Sequence, residues 1–187
     1  MVGIVSLLLP IVLSAAAVFI VSSILHMLVG YHNSDFKKIP SEDAVMNDLG
    51  NLNIPPGDYS IPYAATNKER NTPEYQEKMK RGPIVIMTIF GPKQMNFGSS
   101  LAQWFIYSII VGIFAAYVAG RAVPPGTDYL SVFRFAGVTA FVGYSLALMQ
   151  NSIWWKKSWS ATIKSMFDGL IYALVTAGIF GWLWPGA

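Results

Sequence analysis

The sequence predicts an all-α integral membrane protein with four transmembrane helices and a segment of about 70 residues between the first two helices. Hydrophobic residues make up 53% of the 187 residues and charged residues only 12%, whereas a soluble domain carries about 25% charged residues. Four apolar stretches approach or exceed the ~20 residues that a helix needs to cross a bilayer. The charges concentrate in residues 31–100, which hold eight Lys/Arg and eight Asp/Glu.

The four apolar stretches are residues 2–29, 101–119, 135–155 and 166–184. We expect the first to be a retained helix, because it lacks the basic start of a secretory signal and its apolar run is longer than that of a signal. The other three are expected to form one three-helix unit within residues 101–187.

The charges near the helix ends predict the orientation. Four spans place both termini on one side of the membrane, and lysines concentrate near the helix ends on the other side: Lys37, Lys38, Lys93, Lys156, Lys157 and Lys164. The positive-inside rule therefore predicts a multi-pass protein of the bacterial inner membrane with both termini in the periplasm. The residues expected at the membrane interfaces are Arg134, Trp154, Trp155, Trp182 and Trp184.

The 31–100 segment is expected to lie in the cytoplasm and to hold two short helices. One begins near residues 40–43, where acids follow a serine, and the other covers residues 72–81, with Thr72 as the N-cap. The apolar run 84–90, which Pro92 closes, is too short to span a bilayer. It is a strand, an interfacial segment or a partner-binding stretch, and we expect it to pack on the protein's own membrane face.

Five polar residues are predicted at a similar depth near one end of the helices: His26, Gln103, Gln150, Asn151 and Asp168. Ionisable side chains within spans are functional candidates, because lipid does not hydrate them. One interpretation is a proton or small-ligand site built from His26 and Asp168. The more ordinary interpretation is hydrogen bonding between helices or contact with the interface.

The neighbours of this polar cluster are expected to contribute little. Lys164 is four residues from Asp168 and is expected to pair with it. His32 follows the first helix and is not expected to share a face with His26, so no pair of haem ligands is predicted. The chain has no cysteine, which excludes disulfides and thiolate metal sites. We therefore predict no metal and no cofactor, and the lack of a catalytic motif indicates that the protein is not an enzyme.

Small residues recur at every fourth position on the second and fourth predicted helices, and in two shorter pairs on the third, Ala136 with Ala140 and Gly143 with Ala147. In lipid, helices associate through close backbone approach at such positions. This pattern predicts tight packing of the last three helices, with the first helix more peripheral. Either another helix of this chain or a partner protein fills the stripes, whose residues are Gly112, Ala116 and Gly120, and Gly169, Ala173, Ala177 and Gly181.

These features predict a non-catalytic accessory or structural subunit of a larger membrane protein complex, with an energy-transducing complex as one option. The expected partners are the lipid bilayer and other membrane subunits, since a net charge of +3 is too small to indicate nucleic-acid binding. The alternative is a small transporter or channel with a polar site on the cytoplasmic side. The lack of polar residues near the midplane beyond Tyr144 and Ser145 disfavours it. A pigment- or lipid-binding protein is a weaker alternative.

Overall fold

The structure, a computed structural model, describes residues 1–91 and 95–186 and is mostly helical, at 69%. Four of its helices are long and apolar enough to cross a membrane: Ile4–Val29, Phe97–Ala122, Tyr129–Ile153 and Trp159–Trp182. Pro92, which closes the predicted apolar run, and Lys93, used to predict the orientation, lie outside the described residues.

The long helices extend beyond the apolar stretches that predicted them. The first consists of a 3-10 turn, α1 (Leu8–Ile24) and a π-helical turn. The later elements are α5 (Phe97–Ala122), α6 (Tyr129–Tyr144), α7 (Met149–Ile153) and α8 (Trp159–Trp182). Hydropathy identifies only the apolar part of a helix, whereas the hydrogen-bonded backbone continues through adjoining polar residues.

The chain divides into two compact units. The four-helix unit comprises Met1–Lys37 and Gly98–Ala187, and the connecting unit comprises Lys38–Phe97. The connecting unit contains α2 (Glu42–Asn51), α3 (Asn67–Arg70) and α4 (Pro73–Arg81). Helices near α2 and α4 were predicted, whereas α3 was not, because its single helical turn leaves little periodic signal.

A two-stranded antiparallel sheet forms within the connecting unit. Strand β1 (Gly57–Ile61) pairs with β2 (Val85–Ile89), so that Tyr59 lies opposite Met87. The apolar run 84–90 thus contains a strand, and the prediction of an all-α fold is wrong for this unit. The partner strand lies far away in the sequence, and local periodicity does not reveal such a pairing.

The first helix belongs to the core of the four-helix unit, so the prediction that it is peripheral is wrong. Leu7 and Ile11 share one buried cluster with Ala116 of α5 and Phe180 of α8. A Cβ added to Gly112 would stand 3.4 Å from Ile11. The bulky residues of the first helix therefore fill the gaps that the α5 stripe leaves open, and a small-residue stripe on the first helix is not needed.

The α8 stripe packs against α6. A Cβ added to Gly169 would stand 3.0 Å from the carbonyl oxygen of Tyr144, and one added to Gly181 would stand 2.7 Å from the ring of Tyr129. Ala177 is fully buried. Helices of the chain itself thus fill both stripes, which answers the question that the sequence left open.

Trp184, which was predicted at a membrane interface, is buried within the four-helix unit. It is only 3% exposed, and its Nε1 donates a hydrogen bond to the carbonyl oxygen of Pro124 at 3.0 Å. The reason is that α8 ends at Trp182 and the following residues fold back on the turn between α5 and α6, where Gly126 N–H donates to the Pro185 carbonyl. The other predicted interface residues are exposed: Arg134, Trp154, Trp155 and Trp182.

Candidate functional site

The chain reverses direction where the first helix ends. The π-helical turn Leu25–Val29 is followed by Gly30 in the left-handed conformation (φ 66°) and by the 3-10 turn Tyr31–Ser34. Glycine adopts this conformation without the steric cost that a Cβ would bring. The reversal stacks the ring of His32 on that of His26, with centroids 4.7 Å apart. The expectation that these histidines do not share a face is therefore wrong, because it assumed a straight helix.

Both histidines approach Asp168 on α8. Asp168 is 2% exposed. Its Oδ2 lies 2.7 Å from Nε2 of His32 and 3.8 Å from Nε2 of His26. These three residues each offer one metal-binding atom, and the three atoms lie within 4.8 Å of one another.

Asp35 and Lys164 complete the cluster. Asp35 Oδ2 lies 2.6 Å from Nδ1 of His32, and Lys164 Nζ donates to Asp35 Oδ1 at 2.8 Å. These contacts, with that to Lys164 the stronger, hold the pKa of Asp35 below its usual value because both favour the ionised carboxylate.

Lys164 contacts the 3-10 turn and not Asp168, so the predicted Lys164–Asp168 pair is wrong. Its ammonium also donates to the carbonyl oxygen of Tyr31 at 2.8 Å and to Oγ of Ser34 at 2.7 Å. Three acceptors on and just after the turn bind the ammonium. The prediction used only the four-residue spacing between Lys164 and Asp168 on α8 and did not consider acceptors on another segment.

The hydrogen bonds orient both imidazole rings. Nδ1 of His26 lies 3.0 Å from the carbonyl oxygen of Ser22, which only accepts, so this nitrogen carries the proton. Nδ1 of His32 donates in the same way to the carboxylate of Asp35. In both rings the remaining nitrogen, Nε2, is the atom nearest Oδ2 of Asp168, at 2.7 Å for His32 and 3.8 Å for His26.

Of the five predicted polar residues, the described contacts bring together His26 and Asp168. Gln103 donates to Ser99 Oγ on its own helix at 3.0 Å, and Gln150 is exposed. Asn151 lines a neighbouring cleft of about 400 Å³. The three amides therefore do not form the predicted cluster with His26 and Asp168.

The sequence reasoning missed Asp35, left His32 out of the cluster and gave Lys164 the wrong partner. The signal that was available is Gly30 at the end of an apolar helix, which is typical of a left-handed helix stop. A histidine and an aspartate three residues apart follow that stop and fit a single turn.

Aromatic side chains adjoin the cluster towards the interior of the helices. The rings of Trp104, Tyr107, Tyr144 and Tyr172 pack with centroids 5.6–6.0 Å apart. Several buried hydroxyls bond to the backbone of their own helix, as Ser108 does to Trp104 at 3.1 Å and Thr176 does to Tyr172 at 2.9 Å. The Ser108 and Thr176 hydroxyls are therefore engaged within their helices, whereas the buried hydroxyl of Tyr172 has no hydrogen-bond partner among the described residues.

Comparison with known proteins gave no match: no family model, no curated protein and no solved structure matches this chain. The function is therefore inferred from the fold and the site.

Proposed function

We propose that this chain is a non-catalytic accessory subunit of a larger membrane protein complex. The observation that carries the proposal is that the connecting unit has almost no core. Among its described residues, 38–91 and 95–97, only Ala64 is buried. An independent domain of about 60 residues buries about 60% of the surface of its unfolded chain. The connecting unit falls well short of a core of that kind and is expected to be completed by another subunit.

The sheet of the connecting unit presents an apolar surface. Ile86 on β2 is exposed, as are Ile84 and Phe90, which flank the strand on either side of it. A two-stranded sheet is marginally stable alone in water, and its unpaired edges are templates for further pairing. A partner protein that covers this surface removes both weaknesses.

A protein partner fits this surface better than the membrane surface does. Residues 31–100 carry equal numbers of basic and acidic side chains. Attraction to anionic lipid headgroups depends on an excess of Lys and Arg. The balanced charge therefore favours contact with another subunit, and we place this segment on the cytoplasmic side of a bacterial inner membrane.

A small transporter or channel is the second candidate, and the His26–His32–Asp168 cluster favours it. The buried hydroxyls of Ser108 and Thr176 count against it, because they bond to the backbone of their own helices. The chain's own helices fill the glycine and alanine stripes. We therefore expect a partner subunit to contact the connecting unit and not these stripes.

The test is purification of the full chain in mild detergent followed by native mass spectrometry. A stoichiometric partner is expected with the wild-type chain and with Asn71→Asp, which adds one charge at an exposed polar position. Ile86→Asp adds the same charge within the apolar surface and is expected to release the partner while the chain stays folded and monodisperse. A lone species that carries protons or solutes across liposomes would contradict the proposal.

A further inference from the structure

We propose that His26, His32 and Asp168 bind one divalent transition-metal ion of the Zn²⁺ type. Two imidazoles and one carboxylate suit Zn²⁺ and related metals. Mg²⁺ and Ca²⁺ prefer oxygen ligands only. The inference does not rest on the accessory-subunit proposal, which requires no metal.

The distances between the donor atoms match a metal site after small side-chain movements. Bonds of about 2.0–2.2 Å in a tetrahedral site place the ligand atoms about 3.3–3.6 Å apart. Nε2 of His32 lies inside this separation from Asp168 Oδ2, at 2.7 Å, and Nε2 of His26 lies outside it, at 3.8 Å. The three donor atoms lie within 4.8 Å of one another, so an outward movement of one ring and an inward movement of the other admit the ion.

Each histidine has the supporting contact that metal ligands require. Histidines that bind a metal almost always donate their other N–H group to a carboxylate or a backbone carbonyl, which fixes the ring. His26 donates from Nδ1 to the Ser22 carbonyl, and His32 donates from Nδ1 to Asp35. Lys164 in turn holds Asp35 in place. Both Nε2 atoms are thereby directed at one carboxylate.

An unpaired oxygen provides a second, independent indication. Oδ1 of Asp168 is buried, and no donor among residues 1–91 and 95–186 lies within hydrogen-bond distance of it. A buried polar atom without a partner is costly, and a bound cation or its water ligand supplies one.

The metal can reach the site through His26. The side chain of His26 is 52% exposed, whereas that of Asp168 is 3% exposed. Three protein ligands leave one coordination position for water or another ligand. In the proposed site Asp168 is therefore the buried ligand, and the side at His26 is open.

The test is metal binding by the full chain, purified in mild detergent without a polyhistidine tag and stripped with a chelator. Calorimetric titration with Zn²⁺ is expected to give one ion per chain, and Co²⁺ is expected to give the visible absorption of a tetrahedral site. A tenfold excess of Mg²⁺ over Zn²⁺ is expected not to displace it. Binding below one ion per chain, or equal competition by Mg²⁺, would overturn the proposal.

The variants separate a metal site from a purely structural latch between His32 and Asp168. His26→Gln removes a ligand but leaves the hydrogen bond between His32 and Asp168 intact, so it is expected to weaken Zn²⁺ binding without loss of folding. Asp35→Asn is expected to weaken binding about 10–100-fold through the orientation of His32. Ser165→Ala, on the same helix, is the matched control and should bind like the wild type. Unchanged affinity in His26→Gln would show that the cluster is only a latch.

Discussion

Gly169→Ala is expected to destabilise the protein, because the α8 stripe leaves no room for a methyl group at this position. The added Cβ would overlap Oγ of Ser145 and stand 3.0 Å from the carbonyl oxygen of Tyr144. Ser145 would have to rotate and lose its hydrogen bond to the Met166 carbonyl, now 3.0 Å long. Gly178→Ala, on the same helix, meets only the hydroxyl of Tyr129 at 3.5 Å and is the matched control.

The magnitude follows from three contributions. Loss of the Ser145 hydrogen bond costs about 1 kcal/mol, and overpacking against the Tyr144 backbone costs about 1–3 kcal/mol. Replacement of glycine within a helix returns about 1 kcal/mol. The expected net loss for Gly169→Ala is therefore about 1–3 kcal/mol, whereas Gly178→Ala is expected to be neutral or up to about 1 kcal/mol more stable.

The measurement is the free energy of unfolding in mixed micelles of mild detergent and SDS, followed by tryptophan fluorescence. The two variants and the wild type are compared at the same micelle composition. If Gly169→Ala proves as stable as Gly178→Ala, α6 and α8 do not approach as closely as described.

Two further predictions concern the N-cap of α6 and the orientation of the chain. Asp128 accepts a hydrogen bond from the N–H of Ser131 at 3.0 Å, and hydrogen bonds from Ser131 hold the pKa of Asp128 below its usual value. A lowered pKa in the folded state adds stability above the unfolded-state pKa and loses it as the pH falls through the lowered value. Asp128→Ala should thus lower the melting temperature at neutral pH, and the difference from the wild type should become smaller in acid. Asp128→Asn keeps the cap without that pH dependence. A difference between Asp128→Ala and the wild type that stays constant with pH would refute this prediction. For the orientation, Ser60→Cys in this cysteine-free chain should resist a membrane-impermeant thiol reagent in intact cells, whereas Thr127→Cys should react; the opposite result would reverse the predicted topology.

The positions of the long helices follow from the sequence, whereas their ends do not. The run of apolar residues within α8 is a local property that the chain composition shows directly. The start of α8 at Trp159, ahead of the apolar stretch 166–184, depends on hydrogen bonds of polar residues such as Thr162 to its neighbours. For the run 84–90, a strand was only one of the structures that the sequence allowed, because this strand forms by pairing with β1, which is distant in the sequence.

Two of the five residues of the candidate site, His26 and Asp168, were predictable. His26 and Asp168 attract attention as ionisable residues in apolar surroundings. His32 and Asp35 lie beyond the helix in the sequence, and only the left-handed conformation of Gly30 returns them to the cluster. Lys164 was assigned to the wrong acid, because spacing on one helix does not report an acceptor on another segment.

The sequence by itself determined where the apolar helices lie, that two glycine and alanine stripes exist, and that ionisable residues approach one end of the spans. These are properties of local composition and helical period. The tertiary structure decided that α1 and α6 fill the stripes, that Trp184 is buried, and that His26, His32 and Asp168 converge. Each of these outcomes depends on contacts between segments distant in sequence. The left-handed conformation of the single residue Gly30 brings His32 back to His26, and local composition does not show this.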